Sequence, residues 1–311
     1  MDPDHGHSLP NFSVSLRPCV KSCPFCRGSP QSLAKSVFIG GICGFFRREI
    51  VALRFAPNLS MLYTEVPFLE RFARAAAAGF RAVEFLFAYD VGAEAIRQRL
   101  DDLGLTAVLF NLYPGDFAAG ERGLLSHPDR RDEARRRVEE ALEFARQIGC
   151  HRIHAMLGNR RPDLERERQV ACAVEQLAWA APLADEADVT LLLEPLNAFD
   201  MPDYLIHTTA EGMEIVRAVD HPRVRLQYDV YHGQMQEGNL IHTITEHFAQ
   251  IGHIQISDVP GRHQPGTGEI HFPNIFAALE QLGYTGYIGL EYRPLGETDE
   301  SLAWLPREAR G

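Results

Sequence analysis

The stretch LLLEPLN, residues 191–197, brings an apolar run directly onto a carboxylate. Leu191 to Leu193 do not alternate with polar residues, which favours a strand covered on both faces, as in a parallel sheet. A charge at the end of such a strand is costly unless it is paired or holds a cation. For Glu194 taken alone, a strand that simply reaches solvent is a sufficient explanation. The decisive question is whether other strands of this chain end in the same way.

Short apolar runs alternate with helical patterns along the chain from Leu53 onward. The predicted strands are 53–58, 81–87, 105–111, 151–157, 189–194, 223–229, 251–257 and 286–291. The predicted helices are 66–78, 91–103, 129–148, 165–186, 209–219, 240–248, 273–282 and 297–305. Gly79 and Gly149 directly follow two of these helices, where glycine is a typical stop.

Eight strand–helix units over roughly 250 residues predict an α/β fold, a (β/α)8 TIM barrel, over residues 53–311. An open doubly wound sheet is the alternative. Its nucleotide-binding form is disfavoured because no GxGxxG follows the first strand.

Composition limits the function. The chain has 311 residues, of which 45% are hydrophobic and 23% charged, and a formal net charge of −11. This composition is ordinary for a globular protein, and an acidic chain does not favour nucleic acid. No apolar run is long enough to span a membrane. Only Cys150 and Cys172 lie in the barrel region, so a disulfide framework is not indicated and a cytoplasmic location is expected. A homo-oligomer remains open, since no patch in the sequence demonstrates one.

Residues 1–52 do not follow the strand–helix pattern. They are rich in Ser, Pro, Gly and Cys, and we predict a poorly ordered extension or a start codon set too far upstream. The stretch CVKSCPFC, residues 19–26, has the C-x3-C-x2-C spacing of radical-SAM iron–sulfur sites. In that family the motif follows the first barrel strand, whereas here it precedes the whole barrel, which argues against this chemistry.

Polar side chains lie at or near the carboxyl ends of the eight predicted strands, although Glu84 lies in the middle of its run. They are Asn58, Glu84, Asn111, His154, Glu194, Asp229, Gln255 and Glu291. The last four belong to consecutive strands, so their side chains are expected to be neighbours at the carboxyl end of the barrel. Three converging carboxylates would repel one another, and a divalent cation removes that cost. Three carboxylates and an amide oxygen form a hard oxygen site, which predicts Mg²⁺ or Mn²⁺ bound by the last four residues.

Two further residues are candidates for substrate contact. His232 lies in YDVYHGQ, which we predict to be a loop beyond strand six, and beside a metal it could bond a substrate oxygen. A surface-loop histidine is the alternative. Arg262 lies in the Gly- and Pro-rich stretch SDVPGRHQPGTGEI, a long loop after strand seven, and its guanidinium could bind a carboxylate.

One metal and two glutamates suit a proton shift between neighbouring carbons beside a carbonyl. The metal would stabilise the enediolate as its charge develops. Glu194 and Glu291 are the natural pair to remove and return the proton, because strands five and eight can face each other across the site.

Seven stretches resemble hydroxypyruvate isomerase. They are LRFAPNLSMLYTEVPFLERF, AGFRAVEFLFAYD, FNLYPGDFAAGERG, LLLEPLNAFDMPDY, QYDVYHGQMQEGNL, IGHIQISDVPGRHQPGTGEI and GYTGYIGLEYRP. The resemblance implies a xylose-isomerase-like TIM barrel that interconverts hydroxypyruvate and 2-hydroxy-3-oxopropanoate (tartronate semialdehyde). It also implies Glu194 and Glu291 as catalytic residues, and metal ligands at the four positions named above.

Several alternatives remain. The 2-oxo-tetronate isomerases share NLSMLYTEVPF and VEFLF, whereas EPLNAFD, QYDVYH and PGTGEI are more similar to hydroxypyruvate isomerase. Related sugar isomerases and epimerases usually have histidine where Gln255 stands. A zinc phosphodiesterase of the endonuclease IV type would need many histidines and a basic face. A barrel that only binds a partner would give no reason for four oxygen ligands to align.

Overall fold

The computed structural model describes residues 52–311. The predicted extension therefore lies, except for Ala52, outside the described residues. Eight short strands are found where eight were predicted, each shorter than its apolar run by one to four residues. They are β1 (Arg54–Pro57), β2 (Ala82–Glu84), β3 (Thr106–Asn111), β4 (Arg152–His154), β5 (Thr190–Leu193), β6 (Val224–Asp229), β7 (Ile251–Ile256) and β8 (Tyr287–Leu290).

The strands form one parallel barrel. Their order is β1-β8-β7-β6-β5-β4-β3-β2, and each neighbouring pair is parallel. The two ends of this order meet through a parallel bridge between Asn58 and Glu84, where the Leu59 N–H donates to the Glu84 carbonyl over 2.7 Å. The sheet therefore closes on itself, which confirms the TIM barrel and excludes the open doubly wound sheet.

Helices follow the strands, and each of the eight predicted ones is present. The α-helices are α1 (Phe68–Ala78), α2 (Ala93–Leu103), α3 (Arg131–Ile148), α4 (Arg166–Glu186), α5 (Thr209–Val219), α6 (Val230–Gln236), α7 (Leu240–His247), α8 (Phe272–Leu282) and α9 (Thr298–Ser301). Gly79 and Gly149 end α1 and α3 with φ of 103° and 70°, as predicted. Two expectations were wrong: residues 230–236 form a helix rather than a loop, and the last helix is shorter than 297–305.

Apolar periodicity explains why these elements form and pack. On α3 the buried residues Ala134, Val138, Ala141, Ala145 and Ile148 recur every three or four positions and make one apolar face. On β5 the three leucines are at most 2% exposed, so both faces of the strand are covered, as its unbroken apolar run predicts. In the part of the chain that the structure describes, no helix is both long and apolar enough to cross a membrane.

Candidate active site

The four predicted metal ligands lie together at the carboxyl ends of β5 to β8. Asp229 is the last residue of β6 and pairs in register with Gln255 of β7, while Glu194 and Glu291 directly follow β5 and β8. All four are buried, with exposures between 1% and 7%. Consecutive parallel strands therefore deliver three carboxylates and one amide to the same end of the barrel.

Arg262 joins two of these carboxylates. Its Nη2 donates to Asp229 Oδ2 over 3.0 Å and to Glu291 Oε1 over 3.1 Å. The guanidinium also lies over the Tyr231 ring, 4.8 Å from the ring centre. Because one nitrogen contacts both carboxylates, the side chains from β6 and β8 converge on a common space.

The loop after β7 places Arg262. Asp258, at the start of this loop, is fully buried and accepts backbone hydrogen bonds from Gly266, Gly268 and Ile270 over 2.8 to 3.0 Å. Arg262 itself has a left-handed backbone with φ of 59°. The shaped loop expected from the Gly- and Pro-rich sequence is thus held from within by one carboxylate.

Gln227 joins the other two predicted ligands and was missed by the sequence analysis. Its Nε2 donates to Glu194 Oε2 over 3.0 Å and to Gln255 Oε1 over 2.5 Å. A signal was available, because Gln227 precedes Asp229 by two positions and residues two apart on a strand share a face. A buried glutamine is the kind of residue that requires a partner.

The electrostatics of the site follow from burial and crowding. Burial raises the pKa of Glu194 well above its ordinary value, and the neighbouring charges of Glu291 and Asp229 act in the same direction. Burial also raises the pKa of Asp229, although Arg262 opposes the shift. Burial likewise raises the pKa of Glu291 to about 8, again against the effect of Arg262. The single positive charge of Arg262 is thus too little to keep all three carboxylates ionised together.

His232 lies on α6, because the chain turns into a helix immediately after Asp229. It is 4% exposed, which rules out a surface-loop histidine. Its Nδ1 accepts the backbone N–H of Asn197 over 3.1 Å, and its Nε2 lies 3.8 Å from Asp229 Oδ2. Burial, with Arg262 and His154, lowers the pKa of His232 well below its ordinary value. The imidazole is therefore neutral, and its Nε2 carries the proton and points toward the carboxylates.

The donor set fits a hard divalent cation. Candidate ligand atoms of Glu194, Asp229 and His232 all lie within 4.8 Å of one another. Glu194 Oε1 is buried and has no hydrogen-bond partner among the described residues, so its lone pairs could bind a cation. The two carboxylates of this group offer oxygen atoms, which hard divalent cations prefer as ligands.

Other polar strand ends surround this group. His154, at the end of β4, is 2% exposed, and its Nδ1 lies 3.2 Å from Glu194 Oε2. Burial lowers the pKa of His154 to about 3, so it adds a neutral imidazole to the wall of the site. Glu84, the last residue of β2, and Asn58, which directly follows β1, are fully buried, and Asn58 Nδ2 donates to Glu84 Oε1 over 3.2 Å.

Comparisons with known proteins give a consistent result. The family model described as "Xylose isomerase-like TIM barrel" matches residues 72–308. The chain is 48% identical to the 2-oxo-tetronate isomerase of Cupriavidus necator, over 81% of this chain and 97% of that protein. It is 41% identical to the hydroxypyruvate isomerase of Escherichia coli, over 81% of this chain and 98% of that protein.

A solved structure is similar over the same share of the chain. The crystal structure of a protein from Brucella melitensis, described as "AP endonuclease, family 2", superposes with a TM-score of 0.79. The two chains are 44% identical, and the match covers 81% of this chain and 97% of the other.

Proposed function

The chain belongs to the xylose isomerase-like TIM barrel family, and from this premise we propose that it is a metal-assisted isomerase of short 2-oxo acids that carry a hydroxyl group on the neighbouring carbon. The observation that carries the proposal is the convergence of Glu194, Asp229, Gln255 and Glu291 at the carboxyl ends of four consecutive strands. The proposal agrees with the names of the isomerases at 41% and 48% identity.

The proposed reaction is the interconversion of hydroxypyruvate and 2-hydroxy-3-oxopropanoate. One glutamate, from the pair Glu194 and Glu291, removes a proton from C3 of hydroxypyruvate. The C3–H electron pair then forms the C2–C3 double bond of an enediolate, and the C2 oxygen takes up negative charge. The other glutamate delivers a proton to C2, the proton of the C3 hydroxyl passes to the C2 oxygen, and the C3 oxygen becomes the new carbonyl, so the atoms balance with no redox partner.

The residues of the site suit these roles. Burial raises the pKa of Glu194 above its ordinary value and that of Glu291 to about 8. A carboxyl group with a raised pKa exchanges protons more effectively near neutral pH, and such catalysis contributes roughly 10²–10⁴-fold. A divalent cation held by the four ligands would supply Lewis-acid stabilisation of charge on the substrate oxygens. In this proposal the Nε2–H of His232 donates a hydrogen bond to a substrate oxygen. The guanidinium of Arg262 pairs with the substrate carboxylate.

A second candidate substrate is 2-oxo-tetronate. The relative at 48% identity is named 2-oxo-tetronate isomerase. A second 2-oxo-tetronate isomerase, from Pectobacterium atrosepticum, is 41% identical to this chain. The hydroxypyruvate isomerase is also 41% identical to it. The identities therefore do not separate the two acids. Motifs such as EPLNAFD and PGTGEI favour hydroxypyruvate, which we keep as the first substrate.

A zinc phosphodiesterase has less support. Among residues 52–311, one group of three or more His, Cys, Asp or Glu side chains has the spacing of a metal site, and two of its three members are carboxylates. A cluster of several zinc ions would need more histidine ligands than this group supplies.

The test is an assay of the purified protein on both acids in parallel. We expect hydroxypyruvate to be turned over faster, with activity lost after treatment with EDTA and restored by Mg²⁺ or Mn²⁺. The matched control adds Ca²⁺ to the EDTA-treated protein, because this larger ion prefers six to eight ligands and is expected to restore less activity. Full activity in EDTA would contradict metal assistance, and turnover of 2-oxo-tetronate alone would reverse the order of substrates.

A further inference from the structure

We propose that Glu84 is a positioning residue that fixes the side-chain amide of Gln255, so that its oxygen rather than its NH2 group faces the metal ligands. This inference rests on the proposed function, since it concerns one of the four metal ligands. Glu84 comes from β2, which is separated from β7 by β8 and β1 in the closed barrel. It takes no direct part in the chemistry proposed above.

Glu84 is a buried carboxylate with three side-chain donors around it. It is fully buried, and it accepts hydrogen bonds from Gln255 Nε2 over 2.8 Å and from Asn58 Nδ2 over 3.2 Å at Oε1. Its Oε2 lies 2.8 Å from His253 Nε2. Burying a carboxylate is costly unless hydrogen-bond donors surround it. The side chain of Glu84 therefore constrains the orientation of each donor that contacts it.

The orientation of Gln255 follows from hydrogen-bond chemistry. A carboxylate accepts hydrogen bonds and has none to donate, so only the NH2 group of Gln255 can face Glu84. The amide oxygen must then point to the opposite side. There Gln227 Nε2 donates to it over 2.5 Å, and the same nitrogen reaches Glu194 over 3.0 Å. Gln255 Oε1 is thereby directed toward the carboxylates.

The backbone provides the space that this arrangement needs. A Cβ at Gly289 of β8 would lie 2.6 Å from the carboxyl carbon of Glu84, closer than side-chain atoms pack. Glycine at this position therefore leaves the carboxylate of Glu84 the space it occupies between β2 and β7. Partners that orient metal ligands in this way are known to change metal affinity when they are replaced.

A purely structural role for Glu84 is the alternative. In that case Glu84 would serve only as the partner of His253 and Asn58 inside the barrel, and its replacement would change stability without a specific effect on the metal. Affinity for Mn²⁺ separates the two roles and does not depend on which substrate the enzyme uses.

The experiment is a calorimetric titration of the full-length protein with Mn²⁺ alone. In Glu84→Gln, the new NH2 group can donate to the oxygen of Gln255 and turn its amide, so we expect Mn²⁺ to bind roughly ten- to hundredfold more weakly. The matched control is His253→Asn, which removes a different partner of Glu84 and leaves an acceptor-only carboxylate for Gln255. It is expected to keep wild-type affinity, and an equal loss in both variants would overturn the proposal.

A double variant isolates the effect that passes through Gln255. Glu84→Gln also removes one negative charge. The effect of this lost charge on Mn²⁺ affinity should be the same whether or not Gln255 is present. We therefore expect Glu84→Gln to weaken Mn²⁺ binding much less in a Gln255→Ala background than in the wild type. Equal losses in the two backgrounds would overturn the proposal.

The wild-type protein offers a test that does not depend on the folding of any variant. In a crystal structure with Mn²⁺ we expect Gln255 Oε1 to bind the ion while Nε2 keeps its hydrogen bond to Glu84. A Gln255 that does not bind the ion would overturn the inference. Mn²⁺ binding without turnover of either acid would contradict the proposed reaction alone, and a wild-type protein that binds no Mn²⁺ would overturn both.

Discussion

At Glu291, burial and neighbouring charge together decide what one carboxyl group can do. Burial raises its pKa to about 8, and Asp229 and Glu84 act in the same direction while Arg262 opposes them. Without a cation the group is therefore largely protonated at neutral pH. A cation shared with Asp229 would favour the ionised form, which the proposed role of Glu291 as a base requires.

A prediction at this scale concerns proton exchange at the substrate carbon. Glu291→Gln keeps the shape of the side chain but cannot take up a proton, so we expect exchange of the C3 protons of hydroxypyruvate with D2O to fall by roughly 10²–10⁴-fold. NMR measures the exchange directly. The matched control is Glu297→Gln on the same loop, where the side chain is exposed and exchange should be unchanged. Wild-type exchange in Glu291→Gln would remove this residue from catalysis, and Glu194→Gln tests its partner in the same way.

At the scale of elements, the start of α5 holds the loop that follows Glu194. Thr208 and Glu211 form a capping box: the Glu211 N–H donates to Thr208 Oγ1 over 3.2 Å, and the Thr208 N–H donates to Glu211 Oε2 over 3.1 Å. His207 connects this helix start to the loop through a 2.7 Å hydrogen bond to the Leu196 carbonyl. A feature readable from the local sequence, T-x-x-E, thus supports a strand end that carries a proposed catalytic residue.

This element predicts a pH-dependent contribution to stability. Burial alone would raise the pKa of Glu211, but the N–H groups of His207 and Thr208, together with Arg166, hold it below its ordinary value of 4.5. Because the pKa in the fold is lowered, the stabilisation is present above about pH 4.5 and is lost as the pH falls through the lower value.

Urea unfolding of the wild type and Glu211→Gln at pH 7 and pH 3.5 checks this contribution. We expect the variant to be less stable than the wild type at pH 7 and the difference to shrink at pH 3.5. Thr208→Ala should cost about 1 kcal/mol, since it removes the cap. Glu214→Gln, an exposed position on the same helix, is the control and should show neither effect. A pH-independent difference between wild type and Glu211→Gln would contradict the capping interpretation.

At the scale of the whole molecule, closure of the barrel and construction of the site share residues. Asn58 and Glu84 form the bridge that joins β1 to β2, and the side chain of Glu84 contacts the predicted ligand Gln255. The carboxylate passes over Gly289 of β8 on the way. A single polar group inside the barrel therefore connects the closing strands to the strands that carry the site.

Gly289→Ala tests this connection. The added methyl group would overlap the Glu84 carboxylate, and such overpacking typically costs about 1–3 kcal/mol. We expect a lower free energy of unfolding in urea and, because Glu84 must move, weaker Mn²⁺ binding as well. Wild-type stability together with wild-type affinity would show that the interior has more room than the contacts at Gly289 indicate.

The amino-acid sequence by itself determined the eight strands and eight of the helices, because the apolar periods of strands and helices are properties of the local backbone. It also determined that Glu194, Asp229, Gln255 and Glu291 belong at neighbouring strand ends, since consecutive parallel strands present their carboxyl ends together. Their roles as metal ligands and catalytic groups remain predictions.

Only the tertiary structure decided which polar groups meet inside the barrel. His232 lies on a helix that was not predicted. Arg262 joins two carboxylates from different strand ends, and Gln227 and Glu84 reach Gln255 from other strands. Glu84 and Gln255 are 171 positions apart in the chain. Such pairings depend on the closure of the barrel, and that of Glu84 also depends on the space that Gly289 leaves; neither has a periodic signal in the sequence.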